Sequence, residues 1–446
     1  MSVRPVTLPA RPDRVDRRGI GILACGHACV DMAQGAVPAL IPFLIHHRHY
    51  SYAAAAALLL AMTITSSLIQ PVFGHYADRR SLPWLLPGGV LIAGIGIGLS
   101  GLMPSYPLTF AAVALAGVGV GAYHPEAARY ANYVSGHRRA SGMSLFSVGG
   151  NVGFALGPVL VTPVVLLLGL HATPWLIVPY LVVAASITAS LPHLLSFRPD
   201  APGARANRSS PSPASPRPDR WRPFSLVAGV AAFRSGAYFG LQAFIPSYFI
   251  SHFGASTGQA NAALTVLLVS GAVGTLVGGR LADRIGRRPI LVGCMAVLPP
   301  LILLVLVSGQ VFGFVLLALV GFFIIGNFSI TVVLGQEFLP NRIGIAAGVT
   351  LGAAIGVGGV TSALLGLLAD AAGLTTVMLV IAALPIPGLA CALALPRGRA
   401  RGKAVRRDTA REETARGDTV RRDTARNDQA AGGAGAVSKP KPASVS

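Results

Sequence analysis

Ionisable side chains inside long apolar runs are the residues of this chain best placed to do chemistry. A charge at membrane depth is costly, so each is a functional candidate. In the first run, His27 and Asp31 are four residues apart and Gln34 lies three further on, so all three share one helical face. Desolvation disfavours an ionised carboxylate, which makes Asp31 a candidate proton-coupling carboxyl. The other reading of Asp31 is a structural hydrogen bond to a neighbouring helix. His27 could share the proton or orient the acid. Near the end of the fourth run stand His124, Glu126 and Arg129. Glu126 and Arg129 can pair across one turn. The group reads as a relay into the cavity, as a proton or substrate site, or as an interfacial ion pair. Pro125 marks a kink by freeing a carbonyl near Gly121. Arg234 is the basic residue deep in the second half of the chain. It stays charged and needs an anion: Asp31, a lipid phosphate or an anionic ligand. Tyr238 and Gln242 follow at one-turn intervals and extend this binding wall. Asn327 in the tenth run is a further cavity candidate, with helix packing as its other reading.

These groups need helices to hold them. The chain has 446 residues, 53% hydrophobic and only 12% charged, with a mean hydropathy of +0.63. Soluble domains carry roughly 25% charged residues, so the composition points to a polytopic membrane protein. Twelve runs can each cross about 30 Å of hydrocarbon: 20–45, 53–76, 83–103, 107–130, 140–168, 174–196, 224–250, 258–279, 289–308, 311–336, 343–369 and 374–396. The first run is too long for a cleaved signal peptide and reads as a spanning helix. The expected organisation is a tail 1–19, a six-helix bundle 20–196, a Pro/Ser/Arg-rich linker 197–223, a second bundle 224–396 and a basic tail 397–446. That last tail carries a five-residue Arg-x-x-Thr-Ala-like repeat with nothing apolar to bury, so it reads as disordered, or as a partner- or lipid-binding arm.

The formal net charge is +20. The basic residues cluster in the two tails and the even-numbered loops, and Arg48 is the one in an odd-numbered loop. This places both termini in the cytoplasm of a cell whose plasma membrane the chain spans. The excess charge fits anionic lipid headgroups better than nucleic acid. The four cysteines lie inside apolar runs, so no disulfide framework is expected. In Cys25-Gly26-His27-Ala28-Cys29 the histidine projects about 200° away from each cysteine on a helix, and no metal or other cofactor is expected.

The chain also repeats itself. Gly74-His75-Tyr76-Ala77-Asp78-Arg79-Arg80 returns as Gly279-Arg280-Leu281-Ala282-Asp283-Arg284-Ile285-Gly286-Arg287-Arg288. Ile41-Pro42 matches Ile245-Pro246, Gly117 matches Gly321, and Gly149 and Gly153 match Gly352 and Gly356. A near-constant offset across half the chain makes the two bundles parallel repeats. Gly149, Gly153 and Gly157 share a face of the fifth run that would let a helix from the other half approach closely, with Pro158 loosening the ladder.

Twelve helices in two sixes, a long linker and the duplicated Gly-x-x-x-Asp-Arg turn resemble the major facilitator superfamily. The second turn carries the full loop signature; the first departs from it after Arg80, at Ser81-Leu82-Pro83. Gly149-Gly150-Asn151-Val152-Gly153 through Gly157-Pro158 looks like the signature of the superfamily's antiporters. His27-x-x-x-Asp31-Met32-x-Gln34, His124-Pro125-Glu126-x-x-Arg129, Arg234-Ser235-x-x-Tyr238 and Gln336-Glu337-x-Leu339-Pro340 resemble its fosmidomycin-resistance branch of drug exporters. The resemblance implies an all-α membrane fold of two pseudo-symmetric six-helix bundles. It also implies gating by the turns. Asp78, with Gly74 and Arg79, would face the start of the eleventh run near Ile343-Gly344. Asp283, with Gly279, Arg284, Gly286, Arg287 and Arg288, would face the start of the fifth near Ala140. The other reading of both turns is a basic loop that only sets topology.

The expected function is secondary active, proton-driven efflux of a small organic compound by a protein working as a monomer. Proton-coupled uptake of an organic anion is the first alternative, and a non-transporting sensor or scaffold acting through the basic tail is the second. No Gly-x-x-x-x-Gly-Lys phosphate loop is present to use ATP, and no nucleophile–base set suggests an enzyme.

Overall fold

The computed structural model describes residues 14–79, 81–136, 138–197 and 218–396, without side chains for 77–79, 139, 140 and 343. Most of both expected tails and of the linker therefore lies outside the described residues, as do the side chains of Asp78 and Arg79.

The described residues are almost wholly helical. The first half comprises α1 (Arg17–Arg48), α2 (Tyr52–Arg79), α3 (Leu85–Ser100), α4 (Tyr106–Val134), α5 (Arg139–Leu168), a 3₁₀ segment (Leu170–Leu176) and α6 (Ile177–Ser196). The second comprises α7 (Trp221–Phe253), α8 (Thr257–Ile285), α9 (Arg287–Val307), α10 (Gln310–Gly326), α11 (Phe328–Phe338), α12 (Ile343–Ala347), a π-helical stretch (Gly348–Ala353), α13 (Ala354–Ala383) and α14 (Pro385–Ala394). Each apolar run of the sequence falls on helix. The tenth is broken at Asn327, which closes α10 with φ −95° and ψ 0°. The last two share α13, which bends sharply at Gly373. Its φ of 79° is open to glycine but strained for a residue with a Cβ. Gly286, at φ 108°, makes the turn between α8 and α9 on the same terms.

With lipid outside, helices associate through close packing of small residues. Gly149, Gly153 and Gly157 do this, but not against the other half as expected. A Cβ at Gly149 would meet the Ala24 backbone, one at Gly153 the Ala28 backbone, and one at Gly157 the Gly35 backbone. The stripe is thus a seam between α5 and α1 of the same half. It brings α1 close enough for its polar face to be sealed by α5. Gly35 returns the contact onto the Phe154 backbone. The seam needs a small residue on both sides, and α1 supplies Ala24, Ala28 and Gly35 in register with the α5 glycines.

Among the described residues the halves pack most closely at one end. Along α2, Ala55, Ala56, Leu58, Leu59, Ala61, Met62 and Thr63 are buried, whereas Leu68, Val72 and Tyr76 further on are exposed. Gly359 and Gly366 of α13 press on Thr63 and Ala53 of α2. The glycines that precede them, Gly344, Gly348, Gly352 and Gly356, have nothing within 4 Å of a built Cβ. The bundle is splayed at the end carrying the Gly-x-x-x-Asp-Arg turns, and hydrogen-bonded shut at the other.

Candidate functional site

The polar face of α1 is buried in the middle of the first half. His27, Asp31 and Gln34 are 9%, 5% and 7% exposed. Asp31 is the hub. Its Oδ2 lies 3.2 Å from His27 Nε2 and its Oδ1 lies 3.3 Å from His124 Nε2 on α4. Gln34 Nε2 donates to Asp31 Oδ1 at 2.9 Å. Two main-chain carbonyls then fix the histidine rings. His27 Nδ1 is 2.8 Å from the Phe146 carbonyl of α5, and His124 Nδ1 is 2.8 Å from the Val120 carbonyl one turn earlier. A carbonyl only accepts, so both Nδ1 atoms carry hydrogen and both Nε2 atoms face the carboxylate. A neutral ring in that tautomer would aim a lone pair at an oxygen lone pair. Each contact is favourable only with a proton in it, so the cluster is fully bonded when it holds two.

Sequence reasoning missed the residues that set this geometry. The Phe146 ring stacks on His27 with centroids 4.2 Å apart, while its carbonyl holds the same imidazole. Gly150 lies beneath the pair: a Cβ there would sit 2.5 Å from Asp31 Oδ2 and 2.6 Å from His27 Nε2. The doubled Gly149-Gly150 was the available signal, because one glycine serves the α1 seam and the next faces the cluster. The expectation of no metal considered only the Cys25–Cys29 stretch. The structure instead gathers the donor atoms of His27, Asp31 and His124 within 4.8 Å of one another, a set with the composition of a cation site. Its nitrogen–oxygen contacts have hydrogen-bond lengths.

Glu126 is buried but belongs to a different construction. It pairs with Arg129, and its Oε1 accepts from Ser81 Oγ and from the Leu82 backbone N–H, both at 3.1 Å. It pins the turn after α2 onto α4, and it does not join the Asp31 cluster. A Cβ at Gly74 would touch the Pro125 ring nearby, so α2 runs close to α4 here.

Arg234 of α7 is 2% exposed, and its charge contact is the Phe328 ring, 5.1 Å from the guanidinium carbon. It does not reach Asp31, whose oxygens are taken by the histidines and Gln34. Tyr238 and Gln242 are buried on the same face of α7. Gln242 has both amide atoms without a partner, as has Asn327 its oxygen. Asn327 donates to the Phe323 carbonyl at 3.2 Å.

The turn residues of the second half occupy the open end. Asp283 is exposed and makes no ion pair among the described residues. Arg287 pairs with Glu337, and Arg288 donates to the Leu393 carbonyl at 2.6 Å. At the closed end, Asp370 of α13 accepts from the backbone N–H groups of Tyr52 at 2.8 Å and Ala53 at 3.0 Å, capping α2 from the other half. Asn261 of α8 donates to the Ala39 carbonyl of α1 at 3.1 Å and to Thr162 Oγ1 of α5 at 2.9 Å.

Comparison with known proteins agrees with this architecture. The family profile of the Major Facilitator Superfamily matches residues 23–362 and 230–439. The chain is 31% identical to the uncharacterized MFS-type transporter YfnC of Bacillus subtilis, over 82% of this chain and 90% of that one. It is 30% identical to the fosmidomycin resistance protein of Escherichia coli, over 83% and 91%. Among solved structures it resembles a bacterial homolog of the human lysosomal transporter Spinster in an inward-facing and occupied conformation, with TM-score 0.68, 15% identity, and 84% and 96% of the two chains covered. It also resembles the nucleoside transporter NupG, with TM-score 0.65, 13% identity, and 85% and 100% covered. A multi-pass helical chain matched along most of its length by this profile and these relatives belongs to the Major Facilitator Superfamily of membrane transporters.

Proposed function

We propose that the protein is a secondary active exporter that exchanges protons for a small organic compound, with a fosmidomycin-like molecule as the first cargo to test. The observation that carries the proton coupling is the His27–Asp31–His124 cluster, whose fixed tautomers leave two contacts that only protons can fill. The direction rests on the likeness to a resistance protein. In this reading both termini and the basic loops are cytoplasmic in the plasma membrane, so the splayed end opens inward and the Asp370–α2 end faces outside. Protons entering from outside load the cluster and the halves rock; inside, the protons are released as cargo binds, and the return rock carries the cargo out. Arg234, Tyr238, Gln242, Gln34 and Asn327 form the cargo wall. Glu126 and Arg129 act as positioning residues for the α2–α3 turn.

One observation favours the uptake alternative. Loading two protons adds positive charge to an interior that already holds the unpaired Arg234, so protons and an organic anion would bind together and travel in the same direction. Everted membrane vesicles separate the two readings. Export requires labelled fosmidomycin to accumulate in them when their interior is made acidic. Accumulation only in right-side-out vesicles with acid outside would replace export with uptake. Fosmidomycin left unmoved in both, beside a phenotype lost on deleting residues 397–446, would favour the scaffold.

The cluster's tight seating gives a second expectation. Gly150→Ala should leave the protein in the membrane at a near-normal level, because overpacking costs about 1–3 kcal/mol. The same methyl must push Asp31 from His27, so proton-driven flux should fall at least about tenfold. Membrane-level quantification beside vesicle transport checks this, and wild-type flux in Gly150→Ala would refute the seating.

A further inference from the structure

Arg234 is an uncompensated charge. It lies thirteen residues into α7, roughly 20 Å from the helix start at 1.5 Å per residue, too deep to snorkel to an interface. No carboxylate pairs with it among the described residues, and its Nε is enclosed without a hydrogen-bond partner. Phe328 offers a ring face, which orients the guanidinium plane but cannot neutralise it. The acid of the opposite half, Asp31, is committed to two histidines. Tyr238, one turn along α7, lies within electrostatic reach of both Arg234 and Asp31. Gln242, two turns along the same helix, has both amide atoms enclosed without a partner. Buried polar groups left open in this way belong to a site whose ligand completes them.

We propose that Arg234, with Tyr238 one turn along α7, forms an oxyanion subsite, and that the cargo carries a phosphoryl or carboxylate group. The guanidinium fork matches the two oxygens of such a group, the tyrosine hydroxyl is a further donor, and the apolar surroundings strengthen each bond. Gln242, a further turn along, meets a polar group on the remainder of the cargo. The subsite rests on the transport reading but not on its direction, and its test needs neither a pH gradient nor flux.

Thermal unfolding of the purified full chain in detergent, with inorganic phosphate against chloride at equal ionic strength, provides that test. Phosphate should raise the wild-type midpoint by several degrees at a large excess over its Kd, and should not move that of Arg234→Met. Without phosphate, Arg234→Met should unfold at a higher temperature than wild type, because it removes an unpaired buried charge. Should that variant fail to fold, Arg234→Lys serves instead: it keeps the charge, loses the fork and should show less than half the phosphate-dependent shift. Three results would overturn the proposal. One is wild type unmoved by phosphate. Another is a variant midpoint below wild type with the phosphate shift intact. The third comes from nanodiscs: protection by phosphatidylglycerol but not by soluble phosphate would make the anion a lipid headgroup.

Discussion

Asp31→Asn should abolish flux driven by a pH gradient while sparing gradient-independent exchange of cargo across the membrane. The asparagine has nearly the shape of the acid, and its amide can still receive the hydrogen bond from Gln34, which in the wild type reaches Asp31 Oδ1 at 2.9 Å. What it cannot do is change charge. In the native cluster the carboxylate lies between two Nε2 atoms, and the Nδ1 hydrogen of each ring is committed to a main-chain carbonyl. Removing both protons leaves a carboxylate facing two lone pairs, which is repulsive in a site of low dielectric. The deprotonated cluster must therefore rearrange, and in the proposed proton-coupled exchange that rearrangement is the step through which protons would act on the helices. Asparagine keeps its oxygen towards Gln34 and His124, offers hydrogens only on its nitrogen towards His27, and carries no charge for the protons to answer, so the step is lost. Proteoliposomes with an imposed gradient should show on the order of a 100-fold loss, the scale seen when a positioned proton-transfer group is removed. Counterflow without a gradient should fall by less than about threefold. His124→Gln should lose less, because His27 still holds one proton against Asp31. Unchanged proton dependence in Asp31→Asn would remove the cluster from the coupling mechanism.

The sequence exposed the helical face of this site but not its closure. Four-residue spacing is enough to align His27 with Asp31, because one helix sets both positions. That His124 completes the pair depends on how α4 lies against α1, and no single-helix period contains that information. The same limit explains the glycine stripe of α5. Its period identified a small-residue face, and α1 rather than the second half proved to be its neighbour. Glu126 looked like part of a relay because it lies two residues from His124. On a helix two residues is about 200°, so the side chains diverge, His124 inward to Asp31 and Glu126 back to Ser81 and Leu82. Arg234 was legible as a charge at depth, yet its want of a counter-ion was not, since Asp31 was an available partner until the histidines took it. Asp370 carried no local signal at all. It reads as an ordinary acid near a loop, and its role depends on α2 of the other half being near.

That contact leads to the largest conformational effect expected of a single side chain. Asp370 receives the first two N–H groups of α2, while Ser51 Oγ receives that of Ala54 at 3.2 Å. The start of α2 is thus capped by its own serine and by an aspartate from the other bundle. A cap of this kind is worth about 0.5–2 kcal/mol, aided by the helix dipole. It exists only while this end is closed, so its whole value biases the equilibrium between the two states. Losing it should shift their ratio by roughly 2- to 30-fold. Asn261 fastens the second helix pair, α5 and α8, at the same end. These are the pairs at whose other ends the Gly-x-x-x-Asp-Arg turns lie, so closing one end withdraws the groups that fasten the opposite one. Spin-label distances report the shift directly, in chains whose native cysteines are replaced. In Asp370→Ala, labels on His49→Cys and Ala371→Cys should move apart while labels on Tyr76→Cys and Gly344→Cys approach. Asp370→Asn, which keeps one acceptor oxygen, should lie between Asp370→Ala and wild type, and Asn261→Ala combined with Asp370→Ala should go furthest. Distance distributions identical to wild type in the double variant would mean that apolar packing of Gly359 and Gly366 against α2 sets the equilibrium, with the hydrogen bonds following it.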